Sequence, residues 1–254
     1  MATFAIGDVH ANRPALTDLL SKLRPEVSRG DVVVFLGDII DRGRDARGCV
    51  EAILEFEAEV DAEVIGLCGN HEDWMLRSMR DYRSHSWLLG MEPHETIRSY
   101  SPAAADELRK AARAAGSRLY LGGCDLPYDV FFDAMPESHR AFFEGLRTHY
   151  QGDDCVCAHA GVDPSFPMGK PLAHPRESLV WGVRGFPRSY AGSEVVVYGH
   201  RNNAKLDDAE WPHPAILGRT YGIDTIAHGV LTAMSFPDLR VYQSGMYEKR
   251  ELAR

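Results

Sequence analysis

Three short segments of this chain could do chemistry together: Gly7-Asp8-Val9-His10, Gly37-Asp38-Ile39-Ile40-Asp41-Arg42-Gly43 and Gly69-Asn70-His71-Glu72. Each follows a β-branched, apolar run and places carboxylate, imidazole or amide oxygen on the first residues after it. Those groups suit a pair of first-row divalent cations. One Asp-x-His alone would mean little, because most Asp and His residues are caps, turn formers or surface groups. Three such loops in order, each at a strand end, predict one half of a two-metal site for phosphate-ester hydrolysis.

Two later histidines, His159 in His-Ala-Gly and His200 in Gly-His, also close apolar runs and supply the other half. Asp8 and His10 would hold one cation, Asp38 would bridge both with its two oxygens, and Asn70, His159 and His200 would complete the second. Cations about 3.5–4 Å apart clamp both oxygens of an in-line displacement and make a bridging hydroxide available near neutral pH. His71 is then placed to protonate the leaving oxygen, and Asp41 to orient that imidazole and keep it protonated. Arg42 and a later arginine would grip the phosphate oxygens.

The hydrophobic pattern shows what must position these loops. Residues 2–7, 31–36 and 62–67 read as buried strands, with helices between them: one capped by Asn12 with Pro14 in its first turn, one over 46–58. This β-α-β-α-β alternation predicts right-handed crossovers, parallel pairing and loops gathered at the strand C-terminal ends, where ligands of open α/β sheets bind. Residues 73–150 read as mostly helical, with a segment through Met79 and stretches near 103–115 and 137–148. Strands follow at 154–158 and 194–198, and 222–244 reads as two or three antiparallel strands with turns at Gly229 and Pro237-Asp238. The Pro-rich stretch 164–175 reads as a surface loop.

Composition narrows the classes. A chain of 254 residues, 44% apolar, can bury the core of one α/β domain. No apolar run is long enough to span a bilayer and the N-terminus enters a strand at once, so a cytoplasmic protein without membrane association is expected. Five irregularly spaced cysteines fit reduced thiols. A net charge of −9 argues against nucleic acid as partner, though bound cations would make the site itself locally positive. The Cys155/Cys157 pair reads as strand packing, Asp163 as a turn residue, and Trp74, Trp87 and Tyr100 as core and insert packing. Among the other histidines only His228 falls near the expected site edge.

The motifs resemble those of the phosphoprotein phosphatase family of metallophosphoesterases, and more closely its bacterial branch: Gly-Asp-x-His, Gly-Asp-x-x-Asp-Arg-Gly, Gly-Asn-His-Glu and two later single histidines. Glu95-Thr96-Ile97-Arg98-Ser99-Tyr100, Met135-Pro136-Glu137-Ser138-His139 and Gly222-Ile223-Asp224-Thr225 extend the likeness over nearly the whole length. It implies an α/β fold: a β-sandwich of mixed sheets flanked by helices, one domain over 1–254, with 73–150 as a helical insert. It implies manganese, with iron or zinc compatible with the same ligands. The chain departs from the pattern in three places. Ala11 stands where the family has glycine. Cys68 stands where many protein phosphatases place a phosphate-binding arginine, as in the diadenosine tetraphosphatase branch, which also lacks it. The loop after His200 carries an inserted stretch, 203–219. Arg184 in Trp181-Gly-Val-Arg184 is the candidate second phosphate arginine, one residue further from the tryptophan than the pattern has it.

The leading expectation is therefore a phosphomonoesterase acting on phosphoserine or phosphothreonine in proteins, or on small phosphate esters. Hydrolysis of dinucleoside polyphosphates on the same machinery is the alternative, favoured by Cys68. A metal-binding scaffold without catalysis is a third reading, disfavoured because the ligand set and the acid histidine are all present.

Overall fold

The computed structural model describes residues 1–121, 123–170, 172–206 and 210–247. Three parallel strands, β1 (Thr3–Ile6), β2 (Val32–Phe35) and β3 (Glu63–Gly66), align Ala5 with Val34 and Val34 with Ile65. The crossovers between them are α1 (Arg13–Leu23) and α2 (Ala46–Glu59). Asn12 Oδ1 accepts the Ala15 N–H at 3.3 Å and Asp45 Oδ1 that of Gly48 at 2.8 Å, which caps both helices.

The strands β1 and β2 are apolar on both sides because both sides are covered. Phe4, Ile6, Val33 and Phe35 face the helices, packing with Leu16, Leu19, Ile53 and Phe56. Ala5, Val34 and Ile65 face the second sheet and meet Cys155, Cys157 and Val197. Both cysteines point into this sandwich core.

The insert contributes α3 (Asn70–Arg80), α4 (Ser86–Gly90), α5 (His94–Tyr100), α6 (Pro102–Ala115), α7 (Asp129–Phe132) and α8 (Glu137–Glu144). It joins the helical layer through buried Trp87, Ile97, Phe131 and Phe132. The helix expected over 137–148 stops at Glu144. Past Gly145 the chain turns to bond the end of β3: Arg147 N–H donates to Gly66 O at 3.0 Å, and Cys68 N–H to Arg147 O at 2.8 Å.

The second sheet comprises β4 (His149–Gln151), β5 (Val156–Ala158), β6 (Val196–Tyr198), β7 (Ala215–Leu217) and β8 (Thr220–Gly222), in the order β4-β5-β6-β8-β7. Its outer face is covered by α9 (Arg176–Trp181) and the loop chain, through Leu172, Leu179 and Phe186. The strands β9 (Thr232–Phe236) and β10 (Val241–Gln243) return to the first sheet as an antiparallel hairpin beside β1, so both sheets are mixed. They are the antiparallel strands expected over 222–244, joined at the Pro237-Asp238 turn. β8 pairs with β6 in the other sheet, and residues Ile226–His228 form a 3₁₀ turn between the two. Within the inserted stretch 203–219, positions 207–209 lie outside the described residues, as does position 171 of the 164–175 loop. No helix among the described residues is long and apolar enough to cross a membrane.

Candidate metal centre

The loops after β1, β2, β5 and β6 and the first turn of α3 meet at one end of the sandwich. Among the described residues, six of the eight non-glycine positions with positive φ lie in these loops: His10, Ala11, Asp38, Asp41, Arg42 and His200. Backbone strain is therefore concentrated where side chains converge. At Ala11 the left-handed conformation costs about 1–2 kcal/mol, and its buried methyl returns about 0.8 kcal/mol. The alanine in place of glycine is thus a small net cost.

Asp38 sits at the middle. Its Oδ2 lies 3.7 Å from His10 Nε2, which is 3.9 Å from Asp8 Oδ2. Its Oδ1 lies 3.4 Å from His159 Nε2, which is 3.0 Å from Asn70 Oδ1; that amide oxygen is 2.9 Å from His200 Nδ1. One carboxylate oxygen thus faces each group of ligands. The six residues expected as ligands are brought together in the two sets expected.

Hydrogen bonds from the other ring nitrogens settle the tautomers. His159 Nδ1 lies 2.9 Å from the Leu36 carbonyl and His10 Nδ1 3.2 Å from that of Ile40. A carbonyl only accepts, so both protons are on Nδ1 and both Nε2 lone pairs point inward. His159 Nε2, Asn70 Oδ1 and Asp38 Oδ1 then face one another as acceptors with no proton between them. A bound cation satisfies such a set, and the mixed imidazole, carboxylate and amide donors fit a divalent one. Arg42 Nη1 donates to His10 Nε2 at 2.7 Å, which places its guanidinium on the Asp8/His10 side.

Charge separates His10, His159 and His200 from His71. Burial lowers the pKa of His10 and His159 and pushes His200 down to about 4, so these rings stay neutral. Burial also works against a charged His71, but Asp38 and Asp41 outweigh it and its pKa is raised. Its Nδ1 lies 2.8 Å from Asp41 Oδ2, and its buried Nε2 has no hydrogen-bond partner. Burial would raise Asp38, yet the surrounding histidines hold it well below the usual carboxylate range. Asp8 is raised by burial, then by Asp224 and Asp38.

Several supporting residues carried no signal strong enough to be singled out. Glu72 is wholly buried and accepts backbone N–H groups from Asp38 (2.9 Å), Ile39 (2.8 Å), Ile40 (3.2 Å) and Gly69 (3.0 Å), which locks the Asp38 loop onto α3. Trp87 Nε1 (2.9 Å) and Thr96 Oγ1 (2.7 Å) donate to Asp41, so a tryptophan read as packing and a threonine named only within a motif position the His71/Asp41 pair. Asp224, noted only as part of a motif, is buried beside Asp8, and burial and Asp38 push its pKa up to about 7. Close approach also restricts Gly199, where a Cβ would overlap Asp8 Oδ1.

Other candidates take no part in these contacts. Arg184 is exposed after α9 and forms no hydrogen bond or ion pair with the described site residues. The cations that depress His200 are Arg201 and Arg42. His228 is exposed and meets Trp211 edge-on at 5.2 Å. Asp163 accepts the Ser165 N–H at 2.9 Å, as a turn residue does.

Convergent acceptors at the loop ends of a two-sheet α/β sandwich, with a protonated imidazole beside them, define a metal-dependent phosphoester hydrolase. The chain belongs to the calcineurin-like phosphoesterase family, which matches residues 1–229. It is 25% identical to the bis(5'-nucleosyl)-tetraphosphatase PrpE (asymmetrical) of Oceanobacillus iheyensis, over 92% of this chain and 88% of that protein. It is 30% identical to serine/threonine-protein phosphatase 1 of Salmonella typhimurium, over 34% of this chain and 37% of that one. A crystal structure provisionally assigned as a diadenosine tetraphosphatase shares the fold, with a TM-score of 0.58 at 18% identity over 97% of this chain and 94% of that one.

Proposed function

We propose that this protein hydrolyses dinucleoside polyphosphates and related nucleotides with a pair of divalent cations. The observation that carries the chemistry is Asp38, one oxygen toward His10 and Asp8, the other toward His159, Asn70 and His200. Bound there, the cations would supply Lewis acidity toward phosphate oxygens and lower the pKa of water.

The chain's own residues do the rest. Glu72 fixes the Asp38 loop by four backbone hydrogen bonds, so the central carboxylate is held in place before substrate arrives. Arg42 offers its guanidinium to the phosphate from the His10 side. His71 holds a proton on Nε2 for the leaving oxygen, while Asp41, itself fixed by Trp87 and Thr96, keeps Nδ1 protonated and the ring oriented.

The choice of nucleotide over phosphoprotein rests on two things. Cys68 leaves the strand end without the arginine of many protein phosphatases, and the likeness to the tetraphosphatase runs end to end. The partial likeness to serine/threonine-protein phosphatase 1, with the Asp-Arg-Gly and Asn-His-Glu loops of this chain, favours phosphoprotein hydrolysis as the second reading. The test is kcat/KM for diadenosine tetraphosphate against a phosphothreonine peptide on manganese-loaded protein. Preference for the dinucleotide is expected, and preference for the peptide would install the second reading. A cytoplasmic location and a single catalytic domain with the 73–150 insert accompany this proposal.

A further inference from the structure

Beside the second cation set lies an anchored guanidinium that the mechanism above does not use. Asp73, one turn into α3 from Asn70, has a side chain only 6% exposed and gathers three donors. Its Oδ2 accepts Arg77 Nη2 at 2.8 Å and Trp181 Nε1 at 3.0 Å, and its Oδ1 accepts Arg176 Nη2 at 2.8 Å. The same Arg176 nitrogen lies 3.3 Å from Cys68 Sγ, a weak acceptor two residues before Asn70.

Two features make this more than a surface ion pair. Asp73 carries one negative charge against two guanidiniums, so the cluster keeps a net positive charge at the edge of the site. The Arg176 side chain is also 40% exposed while one of its nitrogens is pinned, which leaves its remaining donors in fixed positions toward solvent. The anchor at Asp73 is displaced from Asn70 by about 4.5 Å along the helix axis, three residues at 1.5 Å each. Arg42, bonded to His10, stands on the opposite side of Asp38. Arg42 thus stands on the His10 side of Asp38, and Arg176 against the strand end and first turn that present Asn70.

We propose that Arg176 binds a phosphate adjoining the one hydrolysed, which makes the site selective for substrates with two or more linked phosphates. This rests on the nucleotide reading above. A monoester has no group to place there. A polyphosphate laid from Arg42 toward α9 does.

The test is calorimetric titration of manganese-loaded protein with methylphosphonate and with methylenediphosphonate, comparing wild type with Arg176→Met and Arg176→Lys. For Arg176→Met, the Kd of the diphosphonate should rise about tenfold and that of the monophosphonate less than twofold, with partial recovery in Arg176→Lys. Equal weakening of both ligands, or of neither, would overturn the proposal. So would a large fall in Tm accompanied by loss of both, since that marks Arg176 as a structural partner of Asp73. Neither probe is a substrate, so the result stands apart from whether dinucleoside polyphosphates are turned over.

Discussion

His71 Nδ1 lies 2.8 Å from Asp41 Oδ2, while its other ring nitrogen, buried and without a partner, points toward Asp38 Oδ2 at 3.8 Å. One end of the ring is fixed, and the other has a proton to give. Because its pKa is raised, the acid form persists into higher pH, and turnover should fall as pH rises through that value. Asp41→Asn removes a group that raises it, so the alkaline limb of the kcat profile should move to lower pH.

His71→Asn should lower kcat by about 10²–10⁴ on an alkyl phosphate, whose leaving oxygen needs a proton. The loss should be much smaller on an aryl phosphate, whose leaving group departs unassisted. Equal losses on both substrates would remove His71 from the acid role, provided metal content is unchanged.

Asp38→Asn replaces one of two coordinating oxygens by an amide N–H₂. Because each oxygen faces a different group of ligands, the variant should lose cations from both sets, measured by elemental analysis after dialysis. Manganese should raise the Tm of the wild type by mass action and have little effect on the variant. Full metal content in Asp38→Asn would refute the bridging assignment.

Glu72→Gln tests the buried brace. Four backbone N–H groups converge on its carboxylate, and a glutamine would turn an N–H₂ against some of them. Hydrogen bonds to a charged group are worth about 1.5–3 kcal/mol, so a loss of about 2–3 kcal/mol in denaturant unfolding is expected. A variant as stable as wild type would show that the brace carries no energy.

Gly199→Ala should act on one side of the centre only. The added methyl would overlap Asp8 Oδ1, and overpacking of this kind costs about 1–3 kcal/mol. The expected signature is a manganese stoichiometry falling from two toward one as Asp8 is displaced. Two tightly bound ions in the variant would show that Asp8 tolerates the shift.

The residues that converge around Asp38, and the His71/Asp41 pair, were legible in the sequence because each sits directly after an apolar run, where strand ends in an α/β sheet must meet. Local order sufficed there: Asp8 and His10 after β1, Asp38, Asp41 and Arg42 after β2, and Asn70 and His71 after β3. The helix α1 was equally plain from its cap and apolar spacing, and α2 from its apolar spacing. What the sequence could not carry were relationships across long separations. Trp87 read as packing and Thr96 as one residue of a motif, and only the folded insert aims their polar atoms at Asp41, 46 and 55 residues away. The antiparallel strands expected within 222–244 are β9 and β10, but that they pair beside β1, more than 220 residues earlier, was not written in the run itself. Arg176 carried no local signal: it is held against α3 by Asp73, 103 residues away. Apolar periodicity records which face of an element is buried. It does not record which distant polar group that burial brings within 3 Å, and that choice belongs to tertiary packing alone.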